Sequence, residues 1–146
     1  MTTTNNIKPA FEGHNYKVFI DDNDFVDVTV WGKWTFLEAE ELEQHLLAGL
    51  NYLSDLGKPR LVLYDMTNLN VLTYAGPKTM GRLVQMFTNL KYNALADYGV
   101  SSIQLQVRKL ISHISKEVAN AGAFKDREEA VAYLNRYKQK SVENSQ

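Results

Sequence analysis

The sequence predicts an α/β domain: a mixed β-sheet of four to five strands that begins with an antiparallel hairpin and carries about four helices. Strand-like and helix-like segments alternate in the order β-β-α-β-α-β-α-β-α, which is typical of layered α/β domains. The first two strand-like segments are joined by a short acidic turn, which favours a hairpin. The length of 146 residues, of which 45% are hydrophobic, suits one domain with a sizeable core.

The hairpin and the first helix have the clearest local patterns. Residues 16–20 and 25–31 are rich in β-branched and aromatic residues and alternate with period two, as half-buried strands do. Thr35 stands three residues before Glu38, the spacing of a capping box, and Gly57 begins a Gly-Lys-Pro stop signal. Between these signals one helical face carries Leu42, Leu46, Leu50 and Leu53. The pattern predicts a helix of about 20 residues.

The middle of the chain predicts a central strand followed by a second helix. Residues 61–64 form a short, continuous apolar run, which suits a strand covered on both faces. Pro77 is well placed at the first position of the next helix, which we expect to end near residues 91–93. The apolar stripe of that helix comprises Met80, Leu83, Val84, Phe87 and Leu90.

The last part of the chain predicts one or two further strands and two helices. Residues 97–102 are predicted as a strand, although they could be only the lead into the following helix. The apolar face of that helix comprises Val107, Leu110, Ile111, Ile114 and Val118. Residues 122–124 form a brief extended segment, and Asp126 with Glu129 predicts the N-terminal cap of the last helix.

The domain organisation that we predict is a flexible tail over residues 1–12, a single domain over residues 13–138 and a frayed C-terminus over residues 139–146. The absence of cysteine excludes disulfides, thiolate metal sites and thiol nucleophiles. The start of the sequence lacks the apolar segment of a secretory signal, and no apolar stretch is long enough for a membrane span. We therefore expect a cytoplasmic protein without a membrane span.

Charge is unevenly distributed although the net charge is only −1. Residues 12–43 hold nine acidic and two basic residues, whereas residues 108–140 hold eight basic and four acidic residues. These regions are either solvated helix faces or surfaces for self-association or for an anionic partner. Nucleic-acid binding is not expected, because the aromatic residues around Trp31 lack the interleaved basic residues that such a surface requires.

The sequence lacks the usual motifs of catalysis and of metal or cofactor binding. His14, His45 and His113 share no spacing that would bring two imidazoles together. The acidic cluster comprises Asp21, Asp22, Asp24 and Asp27. This cluster lacks the glycine and the closing glutamate of a calcium loop, and a tight hairpin turn accounts for it. Glycine-rich phosphate motifs and a nucleophile elbow are also missing, so we predict no metal, no cofactor and no enzymatic activity.

The segment after the central strand is the candidate binding site. In an open α/β sheet the carboxyl ends of parallel strands form the crevice where ligands or partners bind, and a following helix N-terminus can hold an anion. A polar loop that runs from the central strand into the helix would display its side chains there. The residues that we assign to this surface are Asp65, Thr67, Asn68, Thr73, Tyr74 and Gly76. The alternatives are a structural turn that caps the helix, or a catalytic pair of Asp65 with Tyr64 or Tyr74.

This stretch resembles the STAS family, in particular its divergent branch of stand-alone SpoIIAA-like proteins. In that family a central strand ends near an aspartate, passes through apolar and polar positions to an Asp-Ser-Ser-Gly segment and enters a helix. Here residues 61–65 match the strand, residues 68–72 the approach and residues 73–76, Thr-Tyr-Ala-Gly, the four-residue segment, of which only the glycine is identical. Residues 124–134 also resemble the capped last helix of the divergent branch, and the order of elements matches over about residues 15–136.

The resemblance implies a signalling module in which a partner kinase phosphorylates a serine, and the added charge decides which partner binds. Tyr74 stands where the acceptor serine would be, and Thr73 stands where the aspartate would be. Serine phosphorylation in the manner of the family is therefore not expected at this position. Thr73 has a hydroxyl that could substitute as the acceptor.

We therefore predict a non-enzymatic, STAS-like regulatory module that acts through a protein partner or through self-association as a homo-oligomer. The alternative is a small protein that binds a lipid or another apolar ligand, because the divergent branch also resembles the lipid-binding CRAL-TRIO fold. A chain of this size that uses its helices to cover a sheet has little volume left for a cavity, which counts against the alternative.

Overall fold

The computed structural model of the chain describes residues 8–32, 36–69, 90–99 and 121–144. These residues form a six-stranded β-sheet with a helix packed on each face. The strands are β1 (Ala10–Glu12), β2 (Tyr16–Ile20), β3 (Val26–Gly32), β4 (Leu61–Leu69), β5 (Ala94–Tyr98) and β6 (Ala121–Phe124). The helices are α1 (Phe36–Asp55) and α2 (Arg127–Asn144).

The strands lie in the sheet in the order in which they occur along the chain. β2 pairs antiparallel with both β1 and β3, whereas β3, β4, β5 and β6 are parallel to one another. α1 connects the parallel neighbours β3 and β4, and α2 follows β6. The carboxyl ends of the four parallel strands therefore meet along one side of the sheet, which we call the carboxyl edge.

Two apolar clusters, one on each face of the sheet, hold the helices in place. On the first face the leucine stripe of α1 packs against alternate residues of the sheet, among them Val18, Val28 and Val62. On the opposite face, Ala130 and Leu134 of α2 pack against the residues in between, which include Phe25, Leu61, Leu63, Ala94 and Ala96. Full burial of one such aliphatic or aromatic side chain contributes about 1.5–3 kcal/mol, so packing holds these helices more than intrinsic propensity does.

The turn between β2 and β3 is organised by the side chain of Asp21. Its Oδ1 accepts hydrogen bonds from the backbone N–H groups of Asn23 and Phe25, at 2.9 and 3.1 Å. Asp24 adopts a φ of 62°, a left-handed conformation that aspartate tolerates better than most residues. The predicted acidic turn is confirmed, and Asp27, the last residue of the acidic cluster, belongs to β3, within the strand that we predicted over residues 25–31.

α1 ends at the stop signal that the sequence predicted. Gly57 has a φ of 70°, and its N–H donates to the carbonyl of Ser54 at 3.0 Å. The N–H of Lys58 donates to the carbonyl of Leu53 at 2.9 Å. Together these bonds form a Schellman motif, which satisfies carbonyls that the last helical turn leaves free. The predicted cap at the other end, Thr35, lies outside the described residues.

The mixed sheet and its initial hairpin are confirmed, but the sheet has one strand more than the predicted four to five. The extra strand is β1, which pairs with β2 inside the range that we predicted as a flexible tail. Three residues are too few to show a period-two pattern, so the sequence could not indicate this strand. About four helices were predicted and two fall within the described ranges; those predicted after Pro77 and after residue 102 lie outside them.

The boundaries of three other elements also differ from the prediction. β4 continues beyond Tyr64 to Leu69, and α2 continues to Asn144, through residues that we predicted as frayed. β5 begins earlier than predicted and ends at Tyr98. Neither α1 nor α2, the helices of the described ranges, has both the length and the apolar character that a membrane span requires.

Candidate functional site

Half of the residues that we assigned to a binding surface lie near the carboxyl edge of the sheet. These belong to β4: Asp65, Thr67 and Asn68. The side chains of Thr67 and Asn68 are exposed, and that of Asp65 is half-buried. The other assigned residues lie outside the described ranges: Thr73, Tyr74 and Gly76.

We predicted Asp65, Thr67 and Asn68 in a loop, but they continue β4 because β3 still runs beside them. The pairing steps from Thr29 opposite Asp65 to Trp31 opposite Asn68, so β4 carries one extra residue at this point. A bulge of this kind leaves a backbone donor without a partner in the ladder. Asp65 supplies a partner, since its Oδ1 accepts a hydrogen bond from the N–H of Thr67 at 3.0 Å. Asp65 therefore shapes an irregular strand and does not begin a loop.

β5 stops beside this bulge, at a glycine that contacts it. Gly99 has a φ of 77°, in the left-handed region that favours glycine. A Cβ added to Gly99 would lie 2.7 Å from the Cα and 2.8 Å from the N of Thr67. The pairing of β4 with β5 ends at Asp65 and Tyr98, and residues 66–69 of β4 project past it. We call residues 66–69 the β4 overhang.

A polar cluster lies on the face of the sheet that α2 covers. Arg127, the first residue of α2, donates from Nη2 to Oδ2 of Asp27 at 2.7 Å and from Nη1 to the hydroxyl of Tyr98 at 3.1 Å. Asp27 lies on β3 and Tyr98 on β5, so the guanidinium bridges two strands that flank β4. The side chain of Asp27 is 3% exposed and that of Arg127 is 48% exposed. A buried carboxylate is thus covered by a half-exposed cation.

Burial and the positive charge of Arg127 act in opposite directions on the pKa of Asp27. Burial raises the pKa of Asp27 above its ordinary value, the hydrogen bond and the charge of Arg127 lower it, and the carboxylates of Asp21 and Asp65 raise it again. The same hydrogen bond raises the pKa of Arg127, so the guanidinium stays charged. Because the pKa of Asp27 is raised on balance, the cost of burying this carboxylate exceeds what Arg127 offsets.

Tyr98 connects Arg127 to Asp65. Burial is the main cause that raises the pKa of Tyr98; the hydrogen bond and the charge of Arg127 lower this pKa, and the charge of Asp65 and a hydrogen bond with it raise it. The phenol therefore remains protonated near neutral pH, so it can donate to Asp65 while it accepts from Arg127. A catalytic pair of Asp65 and Tyr64, one of the alternatives that we considered, would need both side chains on the same face of β4. Neighbouring residues of a strand point to opposite faces, and Tyr64 belongs to the core beneath α1, so this alternative is wrong.

Asp21 completes the cluster from the hairpin turn. Its Oδ2 lies 3.9 Å from Nη2 of Arg127 and is buried without a hydrogen-bond partner among the described residues. Arg127 therefore faces two carboxylates, those of Asp21 and Asp27, and the charge of Asp65 acts on Asp27. Within the described ranges, no group of three or more histidine or acidic side chains could hold a metal ion. The positive charge that compensates Asp27 comes from Arg127.

Arg127 and Tyr98 were not predicted from the sequence as site residues, and Asp27 was predicted only as a member of the acidic cluster at the hairpin. Asp27 and Arg127 are 100 residues apart, so no local spacing could pair them. A signal was nevertheless present, because Asp27 lies two residues after Phe25 and therefore on the same face of the alternating strand. Phe25 is fully buried, and a carboxylate on such a face requires a cation or a donor from elsewhere in the fold.

A second polar contact joins β1 to α1. The ring of His45 stacks on Phe11, with ring centroids 4.1 Å apart and an interplanar angle of 4°. Nδ1 of His45 lies 2.7 Å from the hydroxyl of Tyr16, which is buried. Burial, and to a lesser extent Glu41, raises the pKa of Tyr16. His45 thus anchors the edge strand, in keeping with a boundary histidine on an amphipathic helix.

The acidic and basic regions of the sequence meet in part within the molecule. Nζ of Lys58 lies 2.9 Å from Oδ2 of Asp24, and Lys138 donates to the carbonyl of Asn23 at 2.9 Å. Exposed contacts of this kind contribute little energy, typically about 0–1 kcal/mol. Lys58 lies outside the basic region, but Lys138 belongs to it and places α2 against the acidic turn, so the two regions meet there within the chain.

The chain matches no family model, no curated protein and no solved structure. The resemblance to the STAS family therefore rests on the sequence pattern alone. The β4 overhang and the polar cluster behind it are the two features from which a function can be argued.

Proposed function

We propose that the protein is a non-enzymatic, STAS-like binding module that docks a protein partner on the carboxyl edge of its sheet. The observation that carries this proposal is the β4 overhang, on which Thr67 and Asn68 present exposed polar side chains. Open α/β sheets bind their ligands at the carboxyl ends of their strands. A strand that is paired with β3 along one side also presents these side chains with little conformational freedom left to lose on binding.

The polar cluster supports binding over catalysis. Asp27 is buried beneath Arg127, and the raised pKa of Tyr98 keeps its phenol protonated. A general base or a nucleophile must reach its substrate in the deprotonated form. Asp27 and Tyr98 instead take part in contacts between the sheet and α2, so their role in this proposal is to support the edge on which the partner docks.

The order of the elements supports the STAS-like part of the proposal. The initial hairpin, the parallel strands and the capped last helix follow one another as the resemblance implies. Asp126 caps α2, since its Oδ1 accepts the N–H of Glu129 at 3.0 Å. Tyr74 replaces the acceptor serine of the family, so we propose recognition that does not depend on phosphorylation of a serine there.

Native mass spectrometry of the tagged full chain, isolated gently from cells that produce it, tests this proposal. We expect the chain in a complex with a protein of discrete mass, either a partner or a second copy. Asn68→Lys places a charge on the overhang and should reduce the complex at least about tenfold, which corresponds to about 1.4 kcal/mol. Asn51→Lys, an identical change at an exposed position of α1, is the matched control and should leave the complex intact.

Three results would count against the docking proposal. The chain could be found only as a bare monomer, or the complex could tolerate both substitutions equally. The chain could also carry a small apolar molecule in place of a protein, which would favour the alternative of an apolar-ligand carrier.

A further inference from the structure

Arg127 is held by a carboxylate that has an unusual excess of negative charge around it. Among the residues that the structure describes, the charged and titratable groups that face Asp27 come from four elements: Asp21 from the turn, Asp65 from β4, Tyr98 from β5 and Arg127 from α2. Two of these are further carboxylates and one is a cation. A buried site with more negative than positive charge gains from taking up a proton.

The two partners of the ion pair differ in their freedom to move. The side chain of Asp27 is 3% exposed and lies on β3, which has strands on both sides. The side chain of Arg127 is 48% exposed and reaches its partners from the surface. If the contact weakens, Arg127 can turn into water at little cost, whereas Asp27 stays where it is.

α2 has anchors that do not involve Arg127. Ala130 and Leu134 are fully buried against the sheet. The first turn is capped by Asp126, and the carboxylate of Glu129 accepts the N–H of Lys125 at 3.3 Å. The helix can therefore remain docked when its first side chain leaves the cluster.

We propose that Asp27 is a proton-operated switch for Arg127: as a carboxylate it holds the guanidinium across the sheet, and as a neutral carboxyl it releases the guanidinium into solvent while α2 stays docked. The direction follows from reciprocity. Arg127 lowers the pKa of Asp27, so a proton on Asp27 must weaken the hold on Arg127 by the same factor. That factor is about tenfold for each pH unit by which Arg127 lowers the pKa of Asp27.

Burial and the neighbouring carboxylates decide where the switch operates. Burial, Asp21 and Asp65 raise the pKa of Asp27 and so move the transition from strongly acidic conditions towards neutral pH. On release, Arg127 adds a free positive charge near Lys125, at the start of α2. The charge on this part of the surface thus depends on pH, whether or not the docking proposal holds.

A titration of the isotope-labelled full chain by NMR, from about pH 8 to about pH 4, tests the switch. The Asp27 carboxyl carbon reports protonation, the Arg127 Nε–H signal reports the contact, and the amides of Ala130 and Leu134 report the docking of α2. We expect the two side-chain signals to move with one midpoint while the two amides stay protected from exchange. In Asp27→Asn the Arg127 signal should remain at its acid-form position throughout, and in Asp22→Asn, an exposed acid of the same turn, the titration should be unchanged.

The titration of the unaltered protein tests whether Asp27 releases Arg127 even if Asp27→Asn does not fold. An Arg127 signal that stays still while Asp27 titrates would show that the pair is only structural. Loss of amide protection at Ala130 and Leu134 together with the Arg127 transition would show that α2 lifts from the sheet. An Arg127 titration that persists in folded Asp27→Asn would assign the proton to another group. Each of these results overturns the proposal.

Discussion

The buried carboxylate of Asp27 makes the stability of the folded chain depend on Arg127, which lies 100 residues away in the sequence. Burial of an ionised group costs several kcal/mol of lost hydration, and a hydrogen-bonded cation offsets part of that cost. The raised pKa of Asp27 indicates that Arg127 does not offset all of it. Removal of the cation alone should therefore be more harmful than removal of the negative charge.

Arg127→Met should destabilise the protein at neutral pH by about 2–3 kcal/mol, below the usual range for a broken buried pair because the guanidinium is half-exposed. Asp27→Asn should cost less than about 1 kcal/mol, since it removes the buried charge and the half-exposed Arg127 can turn into water. The double variant should be no less stable than Arg127→Met. Urea denaturation of the four proteins gives the coupling energy, and simple additivity would contradict the account.

The pH dependence of stability should also change in Asp27→Asn. Because the pKa of Asp27 is raised in the folded protein, the folded chain binds a proton more tightly than the unfolded chain does. The contribution of this group is greatest below its unfolded pKa and is lost as the pH rises through the folded pKa. Asp27→Asn should therefore gain stability relative to the wild type over this interval, by about 1.4 kcal/mol for each pH unit that separates the folded and unfolded pKa values.

Urea midpoints at closely spaced pH values check this gain. Asp22→Asn, at an exposed position of the same turn, should follow the profile of the wild type. A constant difference in stability between Asp27→Asn and the wild type at all pH values would show that Asp27 has no raised pKa in the folded protein.

At the scale of elements, two glycines lie just after the ends of elements: Gly57 follows α1, and Gly99 follows β5. Gly57 and Gly99 have nearly the same backbone conformation, with φ of 70° and 77°. A Cβ on Gly57 would meet nothing within 4 Å, whereas a Cβ on Gly99 would meet the backbone of Thr67. Substitution of Gly57 therefore measures the free-energy cost of a left-handed residue alone, whereas substitution of Gly99 adds the cost of a close contact with Thr67.

Gly57→Ala should destabilise the protein by about 1 kcal/mol, the cost of a left-handed alanine. Gly99→Ala should cost about 1–3 kcal/mol more, because β5 and the β4 overhang must move apart. Thermal or urea denaturation measures both, and the amide signal of Thr67 should shift only in Gly99→Ala. Equal costs for the two substitutions would show that Gly99 does not position the overhang.

The cap of α2 makes a separate prediction. Asp126→Ala removes the acceptor of the Glu129 N–H and should cost about 0.5–2 kcal/mol. Glu128→Ala changes an exposed side chain in the same turn and should cost less than about 0.5 kcal/mol. Urea denaturation compares the two variants, and a larger loss in Glu128→Ala would rule out the assignment of Asp126 as the cap.

The elements that could be predicted from the sequence are those that local chemistry determines. The acidic turn, the glycine stop of α1 and the cap at Asp126 each depend on residues within a few positions of one another. The end of β4 and the presence of β1 depend instead on pairing with β3 and β2. Polar residues such as Thr67 and Asn68 look like a loop until the neighbouring strand is known.

At the scale of the whole molecule, the position of half of the candidate site residues near the carboxyl edge could be predicted from the alternation of strands and helices. Alternation of strands and helices places the carboxyl ends of parallel strands together, which was enough to select Asp65, Thr67 and Asn68. The cluster of Asp27, Tyr98 and Arg127 brings together β3, β5 and α2, and only the assembled sheet shows that these three residues meet. The fold thus supplies both the edge on which we propose that a partner docks and the polar cluster next to it.

The docking proposal is tested most directly by photo-cross-linking from the β4 overhang. A photo-reactive amino acid replaces Asn68 in the full chain, and the same amino acid replaces Asn51 on α1 as the matched control. After illumination of living cells that produce the protein, our account predicts one discrete cross-linked protein from position 68 and none from position 51. Cross-linking from position 51 alone, or no cross-linked protein from either position, would contradict the proposal that this protein acts by docking a partner on the carboxyl edge.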